Sequence, residues 1–381
     1  MSILLAAPAP KSRSIPRGRL ALLGIGGFAL LAGLTGALVL LGVGLPSSVG
    51  RLAGLHGELM TLGFLGTVVA LERAVALGQA WGYLAPALSG AGAVGLIAGV
   101  PAVGGAGILG GALTLFAIYA AFARRERSLQ LGVQAAGAGA WVGAAALLLA
   151  GVPVASAYPW LAAFLVTTVI GERLDLARLG GLATRARRQL IVALWLFALG
   201  IAVALVEPEA GTRTAGVAML ASAVWLARHD LARRTVRMGG VTRYIAVCLL
   251  AGYAWLAVAG AAWALTGTAP GSAYDIRLHT LFLGFIVSMV FGHAPVIVPS
   301  VLRVPLPYWR GNDLALALLH AGLLVRIVGG DILGVPNGLL VGGVLNVLAM
   351  LAFVAVSFAS SVVELRRRTA IAARRAAANP S

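Results

Sequence analysis

The chain has a single cysteine, Cys248, which excludes an intrachain disulfide and any CxxC metal or redox pair. Charge is scarce too. Only 11% of the residues are Asp, Glu, Lys or Arg, against roughly 25% in a soluble domain. No polar stretch longer than about 20 residues separates the apolar runs, so no appended catalytic domain is expected. Acidic residues are the rarest charge, 12 against 29 basic, for a net charge of +17. A basic excess of that size often signals nucleic acid. Its distribution along this chain argues for a membrane instead.

The chain is 60% hydrophobic with a mean hydropathy of +0.96 and 51 glycines, small residues that let membrane helices approach closely. Apolar runs of spanning length predict twelve transmembrane helices, at 20–44, 52–77, 82–101, 104–123, 129–150, 158–177, 189–206, 213–229, 244–267, 274–302, 312–331 and 337–362. The expected fold is all-α: one polytopic bundle over 20–362, a cytoplasmic segment at 1–19 and a cytoplasmic basic tail at 363–381. Residues 1–19 look like a signal n-region, but the apolar run that follows is too long for a cleaved h-region and reads as the first helix.

With the N-terminus cytoplasmic, all but four of the 29 Lys+Arg residues fall in cytoplasmic segments or at cytoplasmic helix ends. The exceptions are Arg51, Arg213 and Arg277 at the outer face and Arg326 within a helix. This is the positive-inside pattern, and it accounts for Arg124, Arg125, Arg233, Arg234 and Arg366–Arg368 as topology signals. The lipid bilayer is thus the first partner, and nucleic acid is not one.

Phe64-Leu65-Gly66-Thr67 to Glu72-Arg73 in the second helix resembles Phe164-Leu165-Val166-Thr167 to Glu172-Arg173 in the sixth, 100 residues later. With the tenth helix four further on, the pattern suggests three diverged four-helix units. Repeats of this kind often carry function at their interfaces. The two Glu-Arg pairs read most simply as snorkelling, locally paired helix ends.

Of five histidines, His229 lies at a cytoplasmic helix end and reads as solvated or capping. The other four lie in helices, where ionisable groups are expensive. His56 and His279 each sit about one turn into their helices from the outer face, so two imidazoles at matched depth could ligate one haem iron. Met60, Gly63 and Thr67 follow His56 on one helical stripe and would leave room for a flat macrocycle. Arg51, Arg277 and Arg326 are cations at that level, suited to haem propionates. Plain hydrogen bonding by the histidines, and headgroup anchoring by Arg51 and Arg277, remain open. His293 and His320 form a second matched pair nearer the cytoplasm. His293 follows His279 by 14 residues, which returns within about 40° of the same α-helical face. A second metal site, a proton path or simple packing would all use this pair.

His56-Gly57-Glu58-Leu59-Met60-Thr61-Leu62-Gly63-Phe64 resembles the helix 2 haem-ligand segment of cytochrome oxidase subunit I and the His-Glu-Met-x-x-Gly-Phe stretch of the NnrS family of bacterial membrane proteins. His279-Thr280-Leu281-Phe282-Leu283-Gly284-Phe285-Ile286-Val287-Ser288-Met289 is similar to the His-Ala-Leu-x-x-Gly-x-Ile-x-x-Met segment of NnrS. Twelve helices in three arcs is also the architecture of the haem–copper oxidase subunit I-like superfamily.

The resemblance implies a haem b held by His56 and His279 in a bacterial inner-membrane protein. Its role would lie in nitric oxide stress or metabolism, or in electron transfer from a quinol or redox protein. Its limits are equally specific. Helices 6 and 7 carry no histidine, and helix 10 lacks the paired His-x-His, so the oxygen-reducing haem–copper centre cannot form. Any activity would be oxidoreductase-like rather than proton-pumping oxygen reduction. Copper would have only His293 and His320 as intramembrane donors. The alternative from another class is a twelve-helix secondary transporter, which internal repeats and intramembrane Glu, Arg and His also fit.

Overall fold

The computed structural model describes residues 15–179 and 182–378; Lys11, Arg13 and the rest of 1–14, with the last residues of the basic tail, lie outside them. Among the described residues the chain is helical and has no strand. Among these residues, eleven helices are long and apolar enough to cross a membrane. With the helix between the seventh and ninth included, they are numbered in chain order. α1 is Arg17–Leu40, α2 Ser47–Leu77, α3 Ala80–Ile97, α4 Pro101–Arg125, α5 Leu129–Leu149 and α6 Val154–Leu179. α7 is Thr184–Val203, α8 Pro208–His229, α9 Gly240–Thr266, α10 Ser272–Leu302, α11 Arg310–Ile332 and α12 Gly338–Ala378. The helix outside the eleven is α8, diluted by Thr212, Arg213, Thr214, Ser222 and its glycines.

Local chemistry sets the ends. Pro101 and Pro208 occupy the first turns of α4 and α8, where a missing N–H costs nothing. Gly78, at φ 70°, closes α2 in the left-handed conformation. Pro295 and Pro299 lie inside α10, which continues helical to Leu302. α12 runs 41 residues, so the basic tail expected from 363 onward continues as helix to Ala378.

Apolar side chains cover the outside: Phe28, Trp195, Val206, Leu265, Leu314 and Phe358 are all exposed. A water-soluble protein rarely displays so much contiguous apolar surface. Inside, burial is uneven. The apolar windows of α2, α6 and α10 are 56%, 72% and 50% buried, and every other span is at or below 44%. The three most enclosed helices are therefore four apart in the chain. α10 packs against both α2 and α6.

Glycine makes the closest seams. A Cβ on Gly104 of α4 would stand 2.7 Å from the Leu96 backbone nitrogen of α3, and one on Gly107 would stand 2.8 Å from Cα of Gly92. Gly104→Val should therefore push α3 and α4 apart and cost at least about 1–3 kcal/mol. Thermal unfolding in detergent should show a clear drop in Tm. Gly24→Val, on an exposed part of α1 with nothing within 4 Å, should leave Tm near wild type. Equal shifts for the two variants would refute this account of the seam.

Candidate functional site

The first site lies away from the arginine-rich helix ends, where α1, α2, α10 and α11 meet. His56 Nδ1 is 2.8 Å from the carbonyl oxygen of Gly33 on α1. That approach depends on glycine. A Cβ on Gly33 would meet Met60 Sδ at 2.8 Å, and one on Gly36 would collide with the Leu52 carbonyl. His279 Nδ1 is 3.1 Å from both the backbone carbonyl and Oδ1 of Asp275, one turn earlier on α10. Asp275 also accepts two hydrogen bonds from Arg326 of α11, Nε to Oδ2 at 2.8 Å and Nη2 to Oδ1 at 2.6 Å. His56 is close enough to His279, Asp275 and Arg326 to interact electrostatically with all three. Two histidines 223 positions apart in sequence thus share one neighbourhood.

The hydrogen bonds fix the tautomers. Carbonyl and carboxylate oxygens only accept, so Nδ1 carries the proton in both rings. In the neutral form of each ring, Nε2 then has the lone pair. A backbone or carboxylate oxygen on one ring nitrogen is how proteins usually orient a histidine for a metal at the other.

The helices here are not plain α-helices. π-helical stretches run over Leu59–Gly66, just past His56, Thr280–Val287, immediately after His279, and Val325–Ile332, containing Arg326. Such i→i+5 segments are rare and concentrate at functional sites. Ser89 adds a hydroxyl bond to the Leu62 carbonyl inside the first of them, at 2.9 Å.

Several expectations change. The stripe of Met60, Gly63 and Thr67 does not open a slot. A Cβ on Gly63 would meet Ala93 and Ala29 at 3.0 and 3.1 Å, and Thr67 lies 3.3 Å from Ser89, so α1 and α3 fill that side. The cations part company as well. Arg277 is 1% exposed and turns to α9, donating to Thr266 Oγ1 at 2.7 Å and to the Ala269 carbonyl beyond it at 2.8 Å. Arg51 donates to the Ile97 carbonyl at the end of α3. Only Arg326 is beside the two histidines, and it is already paired with Asp275. Asp275, which the sequence reading passed over, holds both His279 and Arg326. Its only sequence signal is its place four residues before His279.

His293 and His320 do not form a second metal pair. Arg173 Nη2 is 2.9 Å from His293 Nε2. Arginine can only donate, so this lone pair is taken. Trp255 Nε1 donates to His320 Nδ1 at 2.9 Å, which leaves His320 Nε2 as a buried N–H without a partner. Neither ring offers a free lone pair, and their partners lie on different helices. Among the described residues, no group of three or more His, Cys, Asp or Glu side chains is arranged to hold a metal ion. His229 bonds the Trp225 carbonyl at 2.9 Å, as a helix-end residue should.

A second polar cluster lies at the opposite, arginine-rich end. The two Glu-Arg repeats are not merely local pairs. Arg73 bonds Glu72 and reaches Glu172 of α6 at 3.4 Å, and Glu172 Oε2 is 3.7 Å from His293 Nε2. These groups line a cavity of about 590 Å³, with Gln134 and Asp175 also on its wall.

A family model described as a domain of unknown function (DUF8744) matches residues 19–362. No curated protein and no solved structure matches the chain.

Proposed function

The chain belongs to the DUF8744 family over nearly its whole length, a membership that names no activity, and from the geometry of its site we propose that it is a haem-binding integral membrane protein. His56 and His279 are the axial ligands in this reading. The observation that carries it is the pair of free Nε2 lone pairs, each on a ring anchored through Nδ1 and brought into one neighbourhood by α2 and α10. Partly buried Leu38, Met60, Phe64 and Leu283 are apolar neighbours that a macrocycle would have to displace from their present packing. A haem with two histidine ligands supplies one-electron transfer. With both axial positions filled, electron transfer or a nitrogen-oxide stress role that draws on it fits better than gas catalysis. Asp275 orients His279, and Arg326 balances the carboxylate that does so.

All twelve helices cross the membrane in this proposal, α8 included, with both termini on the cytoplasmic side of a bacterial inner membrane. The deep burial of α2, α6 and α10 supports three four-helix units with a subunit I-like arrangement. No copper site is part of the proposal. The test is the visible spectrum of the full chain, expressed with ample haem and purified in detergent. A Soret band with the sharp α and β bands of low-spin haem b is expected on reduction. Its absence would remove the cofactor from this account.

One observation favours the transporter reading: the charged cavity at the arginine-rich end. Substrate flux in proteoliposomes by protein that carries no chromophore would select it.

A further inference from the structure

The arginine-rich cavity brings together more titratable groups than helix anchoring needs. Glu72 and Arg73 reach it from α2, Glu172 and Arg173 from α6, and His293 from α10. Behind His293, Tyr253 of α9 donates to Asp230 Oδ2 at 2.9 Å, and Arg173 is near enough to the Tyr253 hydroxyl to interact with it. Asp230, just past α8, is within electrostatic range of His293, as is Glu72. Three carboxylates, Glu72, Glu172 and Asp230, thus face two guanidiniums, Arg73 and Arg173. Arg125, Glu126 and Asp175 are on the cavity wall too, so carboxyl groups outnumber guanidiniums, in surroundings where an unbalanced charge is costly. The Nε atoms of both arginines are buried without a partner, so the guanidiniums are not locked in place by saturated bonding.

The hydrogen bonds around His293 define two states. In the structure Nδ1 donates to the Met289 carbonyl at 2.6 Å, and Nε2 accepts from Arg173 at 2.9 Å. Glu172 Oε2 waits 3.7 Å from the same nitrogen, beyond hydrogen-bond reach. A proton on Nε2 reverses these preferences. An imidazolium has no lone pair for Arg173, repels it, and turns Nε2–H into a donor for Glu172. Arg173 then has the Tyr253–Asp230 pair to turn to.

We propose that His293 and Glu172 form a proton-exchange site that opens to water through this cavity. A proton from cavity water is taken up on Nε2 of His293 and passed to Oε2 of Glu172, while Arg173 moves between His293 and Tyr253. No bond other than the one to the proton is made or broken, and no electron moves. The site stands apart from His56 and His279, so it holds whether or not haem binds.

The test is solid-state NMR of the full chain, labelled with 15N-histidine and reconstituted in lipid nanodiscs. His293 is assigned by its absence in His293→Gln. Between about pH 8 and pH 3, its Nε2 should pass from unprotonated to protonated. Glu172→Gln and Arg173→Gln should displace that curve in opposite directions, each by about tenfold in proton concentration or more. If one variant fails to fold, the wild-type titration and the other variant still decide. A protonation state fixed across the whole range would overturn the proposal. So would variant curves that superimpose on the wild type.

Discussion

His279→Ala and His56→Ala should each abolish the bis-histidine spectrum, while His320→Ala leaves it intact. The expected contrast is all-or-none because the two classes of ring differ in hydrogen bonding rather than in depth. His56 and His279 bond through Nδ1 to oxygens and keep Nε2 free. His320 accepts at Nδ1 from Trp255 and so presents an N–H at Nε2, which cannot ligate a metal. If the proposed haem is held by these two residues, loss of either histidine would give either an empty site or an altered, high-spin spectrum. Absorption and electron paramagnetic resonance separate those two results. Retention of the low-spin signature in both alanine variants would remove the ligand assignment. Gly33→Val is the structural counterpart. It intrudes on Met60, so it should weaken haem retention without touching either ligand.

Arg326→Met should be the most destabilising single change near the site. It leaves Asp275 ionised and enclosed without its guanidinium, and breaking such a pair from one side costs about 3–5 kcal/mol. The side chains are 12% and 22% exposed, so solvent recovers only part of that loss. Arg326→Met with Asp275→Asn should regain most of it, because neither charge then remains. Thermal unfolding of the four proteins in one detergent gives the coupling between the two residues directly. Additive shifts would mean that the two groups act independently. The spectrum of the double variant adds a second readout. Asparagine still offers Oδ1 to His279 Nδ1, so haem binding should survive where stability returns.

The helices could be read from the sequence because an apolar run needs no knowledge of its neighbours. Each expected span overlaps an observed helix with ends within a few residues, apart from α12, which runs on well past 362. The site was legible only in part. His56 and His279 stood out as costly residues at matched depth. Their tautomers depend on the Gly33 carbonyl of another helix and on Asp275, which no periodicity reveals. The inference that His293 sits below His279 on one face rests on a spacing that the helix does not keep. It assumed 100° per residue, but the π-helical stretch Thr280–Val287 lies between them. One residue absorbed in a wide turn changes the offset from about 40° to about 140°. The stripe from His56 through Met60 and Gly63 to Thr67 does keep to one side of α2, but Gly33, Ala29 and Gly26 of α1 pack against it, a neighbour that no periodicity reveals. The Glu-Arg repeats were visible as a motif. Their meeting across α2, α6 and α10 was not, because pairing between helices is a tertiary fact.

The length of α12 has a mechanical consequence. Forty-one helical residues extend about 60 Å, twice the roughly 30 Å of a hydrocarbon core. About half of the helix must therefore stand clear of the lipid as a stiff post, studded with Arg366, Arg367 and Arg368, two of which clasp Glu364. Whatever docks on that side meets a standoff of fixed height rather than a slack tether, and a fluorophore fused near residue 378 would ride well above the headgroups instead of lying among them.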